Sequence, residues 1–122
     1  MRPSLRLTGP LPPDRGNARG HWAAHHRQRR SYWAALDVHA LAQRFRLKAP
    51  LARANVAIDL RTWNPMDPDN LAARCKYLLD WLVTRGYLVD DSPRTITLTV
   101  TQRVDRTNRG ATVTLTPGDP AP

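Results

Sequence analysis

"NVAIDLRTWNPMDPDNLAARCKYLLDWLVTRG", residues 55–86, changes its hydrophobic period partway along, and that change decides the fold. Over 55–63 the apolar residues alternate. Val56, Ile58 and Leu60 fall on one face and Ala57, Asp59 and Arg61 on the other, the period of a half-buried strand. From Leu71 the spacing becomes helical: Leu71, Cys75, Leu78, Leu79 and Leu82 recur along one side as far as about Arg85, and Gly86 is a natural stop. Between the two segments, Asp67 stands as a helix N-cap and Pro68 at the first helical position. Asp69 falls in the first turn, where a carboxylate complements the positive end of the helix dipole.

Working outward, "SLRLT" (4–8) reads as a short strand that ends at Gly9-Pro10. Residues 9–30 are rich in Pro, Gly, Arg and His, too polar for a core, and read as a loop. "SYWAALDVHALAQRFRL" (31–47) predicts a helix with Ser31 as N-cap and an apolar stripe of Trp33, Leu36, Ala40, Leu41 and Leu47, closed by Pro50. Beyond Gly86, "RTITLTVTQ" (94–102) sets Ile96, Leu98 and Val100 opposite Thr95, Thr97, Thr99 and Thr101. "GATVTLT" (110–116) sets Val113 and Leu115 opposite Thr112, Thr114 and Thr116. With the turn "DRTNRG" between them, these two strands are expected to form a hairpin. Its Thr face is either solvated or packed on a second subunit, and "PGDPAP" (117–122) reads as a frayed tail. The order β-α-β-α-β-β predicts an α+β fold over 1–122: a single domain with one mixed sheet and two helices on one face.

A chain of 122 residues suffices for one core and not for two. No run of eighteen apolar residues is present to span a membrane, and "MRPSLRLTGPLPP" lacks the long apolar segment expected of a secretory signal. Cys75 is the single cysteine, so no intramolecular disulfide forms, and a cytoplasmic setting is expected. All ten acids are Asp and seventeen of the nineteen bases are Arg, for a net charge of +9. An Arg-, Ala- and Pro-rich composition also follows from a GC-rich genome, so charge alone says little. Its distribution says more. Residues 1–53 carry eleven bases against two aspartates, and residues 54–122 carry eight against eight. The whole excess lies in the first half, where a polyanion is expected to dock.

The plain reading of "DPDN" (67–70) is a well-capped helix start. Three features go beyond it. On a continuous helix, Asp69 and Lys76 lie within about 20° of each other, and Asp80 falls on the same line. Lys76 is one of only two lysines in a chain that otherwise uses Arg. "GYLVDDSP" (86–93) then returns Asp90 and Asp91 toward the sheet, although Asp-Asp-Ser-Pro is also good turn chemistry. Carboxylates that converge repel unless a cation sits among them. Hard oxygen donors without His or Cys suit Mg²⁺, with Mn²⁺ as a substitute, rather than Zn²⁺. Metal, carboxylates and a lysine beside a basic surface suit phosphodiester hydrolysis. His21, His25 and His26 invite a zinc reading, against which stands the lack of any nearby cysteine.

"DPDNLAARCKYLLDWLVTRGYLVDD" (67–91) resembles the active-site segment of RusA-type Holliday junction resolvases, endonucleases often encoded by phages and prophages. That family's pattern is D-x-D-N-L, a helix with a lysine and a later D-x-L, then G-(aromatic or aliphatic)-x-x-D-D. Asp67, Asp69, Asn70, Leu71, Lys76, Asp80, Leu82, Gly86, Tyr87, Asp90 and Asp91 match it. The likeness runs from about residue 55 to 117, and "LPPDRGNARGHW" (11–22) resembles the family's Pro-Pro…Asn…aromatic opening at an altered spacing. The resemblance implies that Asp67, Asp69 and Asp91 bind the metal and that Lys76 is the catalytic base or a phosphate contact. Asn70, Asp80 and Asp90 are expected to support them. The family's lysine follows the second Asp by four residues; here the gap is seven, as though Ala72, Ala73 and Arg74 were inserted, so Arg74 is an alternative to Lys76.

The resemblance also implies a homodimer, whose two-fold symmetry matches the two equivalent strands of a four-way junction. Arg15, Asn17, Arg19, Trp22, Arg27, Arg29 and Arg30 are the expected DNA contacts, their cations meeting phosphates while Trp22, Tyr32 and Trp33 stack on unpaired bases. The expected activity is Mg²⁺-dependent, structure-selective cleavage of four-way junctions in recombination and repair, with no organic cofactor and no membrane partner. Two alternatives stay open: a DNA-junction-binding protein that does not cut, and a nuclease of the same chemistry acting on forks or flaps.

Overall fold

A computed structural model of the protein describes residues 4–13 and 22–118, with side chains in the second stretch described from Ala24 onward. The elements are β1 (Leu5–Gly9), α1 (Trp22–Gln43), β2 (Ala54–Thr62), α2 (Pro68–Arg74), α3 (Lys76–Thr84), β3 (Ile96–Val104) and β4 (Gly110–Pro117). They make an α+β fold with a single mixed sheet of order β1-β4-β2-β3. In β2, Val56, Ile58 and Leu60 are buried, as their alternation predicts. Registers Val56↔Leu115, Ile58↔Val113 and Leu7↔Val113 put the apolar residues of β1, β2 and β4 on one face. That face meets Tyr32 and Leu36 of α1 and Leu78, Trp81 and Leu82 of α3 in one buried cluster. The opposite face carries exposed Asn55, Ala57, Thr97, Thr99 and Thr101, so the Thr residues of β3 are uncovered in the single chain.

The expected hairpin does not form. β3 pairs with β2 in parallel, Ala54↔Ile96 through Thr62↔Val104, and β4 pairs with the other edge of β2, antiparallel. The helices between β2 and β3 supply the long crossover that parallel strands need. The chain then passes over the end of β2 to reach its far side. Polar groups hold that passage: Thr62 O accepts from Asp105 N at 3.0 Å, and buried Arg61 donates from Nε to Asn108 O at 2.9 Å and from Nη1 to Thr112 Oγ1 at 2.9 Å. Gly110 sits so close to this bundle that a Cβ there would stand 2.7 Å from Arg61 Nη2 and 2.8 Å from Gly9 O.

Helix α1 also departs from expectation. It begins at Trp22, so the stretch 22–30, expected as loop, is helical and Ser31 lies mid-helix. Every Gly and Pro of the 9–30 segment falls at or before Gly20, and "WAAHHRQRR" beyond it contains Ala, Gln and Arg, all good helix formers. Its buried stripe is Tyr32, Leu36 and Ala40, while Leu41 is 84% exposed. The helix ends at Gln43, short of the expected Leu47. Arg44 closes it with φ +56, as Phe45 N reaches back to Ala40 O. The second expected helix is broken into two. Cys75, with ψ −9 and its N–H on Ala72 O, separates an α2 that buries nothing from an α3 that buries Tyr77, Leu78, Leu79, Trp81 and Leu82. α3 stops as predicted at Gly86 (φ +84), where Gly86 N bonds Val83 O and Tyr87 N bonds Leu82 O.

Candidate metal and nucleic-acid site

The segment from Trp63 to Asp67 carries the chain from the end of β2 into α2, and it is held at both ends. Gln102 of β3 grips Met66 twice, its Oε1 accepting from Met66 N at 2.9 Å and its Nε2 donating to Met66 O at 2.6 Å. Arg106, in the β3–β4 connection, donates from Nε to Trp63 O and from Nη2 to Asn64 Oδ1. Asp67 is therefore delivered from an anchored backbone. It is the N-cap of α2: Oδ1 accepts from Asn70 N at 3.0 Å and Oδ2 from Asn70 Nδ2 at 3.3 Å. Asp69, one residue inside the helix, is exposed and has no hydrogen-bond or ion-pair partner among the described residues.

At the other end of α2, Lys76 Nζ stands 3.1 Å from Asp80 Oδ1 and 3.1 Å from Asp91 Oδ2. Hydrogen bonds to Asp80 and then Asp91 raise the lysine above its ordinary pKa and keep it a cation. Asp90, adjacent in sequence, turns the other way. Its Oδ1 accepts from Ser92 N at 2.8 Å, and that bond, with help from Thr95 and the Ser92 hydroxyl, holds the carboxyl below its ordinary pKa. The return from Gly86 thus brings Asp91, rather than Asp90, to the lysine.

The candidate carboxylates consequently stand in two groups, Asp67 with Asp69 at the start of α2 and Asp80 with Asp91 around Lys76. Among the described residues no three His, Cys, Asp or Glu side chains are gathered to hold a metal ion. The break at Cys75 also removes the continuous helical line from Asp69 to Lys76; only its Lys76–Asp80 part survives, as an i,i+4 pair. Arg74, the alternative to Lys76, is engaged elsewhere: Nε donates to Pro12 O at 2.7 Å and Nη1 lies 3.2 Å from Met66 Sδ. In donor chemistry the four carboxylates fit a hard divalent ion.

Of the expected DNA contacts, Arg15, Asn17, Arg19 and the Trp22 side chain lie outside the described residues, as does His21. Arg27 and Arg30 project from the first half of α1 and are exposed. Arg29 lies over Trp33, 5.2 Å from the ring centroid. Tyr32 is buried and cannot stack on a base. Trp33 is half-buried, ties α1 to α3 through Nε1 on Tyr77 O, and has Arg85 at 5.5 Å from its ring.

Sequence reasoning passed over Gln102, Arg106 and Trp63. One signal for Gln102 was readable. It falls in phase with Ile96, Leu98 and Val100, and a polar residue on the apolar face of a strand implies a polar partner on that side.

Compared with protein-family models and with curated proteins, the sequence matches none.

Proposed function

We propose that the chain is a metal-dependent, structure-selective endodeoxyribonuclease of RusA-like type that cuts four-way DNA junctions as a homodimer. The observation that carries the reading is the meeting at 3.1 Å of Lys76 with Asp91, fifteen residues apart in the chain, alongside the anchored Asp67–Asn70 head of the same helical segment. Structural needs account for Asp67 as a cap. Helix-dipole complementarity accounts for Asp69 and i,i+4 pairing for Asp80, but neither accounts for Asp91, brought back from beyond Gly86 to the same lysine.

In this reading Asp67, Asp69 and Asp91 would hold Mg²⁺ or Mn²⁺, and Asp80 would keep Lys76 in place beside them. A bound ion supplies polarisation of the phosphate and a water of lowered pKa. The protein's own part is charge and position. Lys76, held cationic by its carboxylates, steadies negative charge on the phosphate oxygens. Gln102 and Arg106 fix the backbone that presents Asp67, and Arg27 and Arg30 supply positive charge along α1 for the phosphates of an arm. A two-fold dimer sets two such sites against the two equivalent strands of a junction.

One observation favours a second reading, a junction-binding protein that does not cut: Asp91 already pairs with Lys76, a contact made without any ion. A labelled mobile four-way junction with Mg²⁺, tested with the parent and with Asp69→Asn, separates the two. Paired symmetric nicks from the parent alone support the nuclease. Binding without nicks in either protein supports the second reading, and cleavage of flaps or forks with intact junctions redirects the substrate.

A further inference from the structure

The passage of the chain over the end of β2 builds a second feature, apart from the carboxylates. Trp63 leaves β2 with its indole 50% exposed. Arg106 Cζ lies 5.2 Å and Arg109 Cζ 5.3 Å from the indole centroid, so two guanidinium groups share one ring. Neither is paired with a carboxylate among the described residues. The nearest acid in sequence, Asp105, is spent on the turn: its Oδ1 accepts from Thr107 N, Thr107 Oγ1 and Asn108 N. The turn is rigid for a surface connection, tied down by Asp105 on one side and by buried Arg61 on Asn108 O on the other.

Two cations with no carboxylate partner among the described residues attract an anion, and a half-exposed indole beside them favours one that carries a planar ring. We propose that Trp63, Arg106 and Arg109 form a contact site for an unpaired nucleotide, the guanidiniums taking its phosphate and the indole or a guanidinium plane stacking on its base. Acidic polypeptide satisfies the charge but leaves the indole unused. The site also lies on the route to the carboxylates: Trp63 and Asp67 are four residues apart, at most about 14 Å along the chain. A strand unpaired at a branch point and held at Trp63 therefore leads toward Asp67. The inference rests on the proposed function only in taking DNA as the partner; it does not require cleavage.

The test is fluorescence anisotropy of a labelled oligothymidylate, titrated with the full chain in EDTA so that no cutting occurs. Trp63→Ala is expected to weaken binding about 5- to 150-fold, the worth of one stacked base, and Trp63→Tyr to restore most of it. Arg106→Ala with Arg109→Ala is expected to lower the slope of log K against log salt by about 1.4, the release of two phosphate contacts on a single strand. Circular dichroism melts confirm that each variant is folded, which the exposure of all three side chains favours. If the parent binds and all the variants bind as it does, the site is overturned and the nuclease reading stands on its own assay. If the parent does not bind the oligothymidylate, the site is overturned, and the nuclease reading is decided by the junction assay alone. If polyglutamate displaces the oligonucleotide from the parent at matched charge and Trp63→Ala changes neither, the patch is an acidic-protein surface and the inference is overturned.

Discussion

Replacing Gln102 with Met keeps the length of the side chain and removes both polar atoms that grip Met66. The two bonds, 2.9 Å from Met66 N and 2.6 Å to Met66 O, are the described polar ties on the backbone just before Asp67. Each such bond contributes about 0.5–1.5 kcal/mol net, and Met66 is only half-buried, so water takes over part of what is lost. The local cost is therefore about 1–2 kcal/mol, equivalent to a 5- to 30-fold rise in opening of the Trp63–Asp67 connection. The assay is native-state hydrogen exchange. Protection of the Met66 amide is expected to fall by that factor, while the amide of Ile58, inside β2 and flanked by paired strands on both sides, stays unchanged. In the nuclease reading, junction cleavage falls with it, because a small misplacement of a catalytic group costs far more in rate than in stability. An unchanged Met66 amide in a folded Gln102→Met protein refutes the reasoning: the connection would then be held by the packing of the Met66 side chain, and the Gln102 bonds would be incidental.

Asp37 bridges α1 and α3, accepting from Trp81 Nε1 at 2.9 Å and from Arg85 Nε and Nη2 at 2.9 and 3.0 Å; the Arg85 bonds chiefly hold its carboxyl below the ordinary 3.8. A depressed folded-state pKa stabilises fully above the unfolded value and fades as pH falls through the folded one. Asp37→Asn should therefore cost about 1 kcal/mol at neutral pH, kept small by the exposure of the pair, and the urea midpoints of the two proteins should converge below about pH 4. A gap that persists into acid contradicts this. Gly86→Ala meets no atom within 4 Å, so its expected loss of about 1 kcal/mol comes only from the left-handed backbone at φ +84. Arg44→Gly, at φ +56, is expected to change thermal stability in the opposite direction by about 0.5–1 kcal/mol. Gly110→Ala forces a Cβ against Arg61 and Gly9 O and should cost about 1–3 kcal/mol, read as a lowered melting temperature.

What was legible in the sequence was what neighbouring residues decide among themselves. The alternation of β2, the Asp67-Pro68 helix start, the stop at Gly86 and the Lys76–Asp80 pair are all settled within a few residues, and all stand in the structure. The first half of α1 was not legible, because a helix that exposes most of its surface carries no apolar period to read; only the end of the Gly and Pro residues at Gly20 marked it. The break at Cys75 was hidden for the opposite reason, since the apolar spacing runs through it without a slip. Least legible was which strand pairs with which. β3 and β4 alternate equally well, and a short connection between two such strands ordinarily means a hairpin.

That one difference in pairing also decides the surface at the end of the sheet. With β3 and β4 on opposite edges of β2, residues 105–109 must span two strand spacings, about 10 Å, across the point where β2 ends. A polar chain laid over a strand end needs partners for its backbone, and Arg61 and Thr62 provide them, which is why two polar residues are buried at the last positions of β2. The same crossing carries Arg106 and Arg109 to Trp63, more than forty residues away in sequence, and sets them against the connection that leads to Asp67. A hairpin would have left Trp63 without either arginine and the end of β2 without its cover. The parallel pairing of β2 with β3 therefore does more than complete the sheet: it joins the basic, aromatic surface to the backbone that presents the acidic residues.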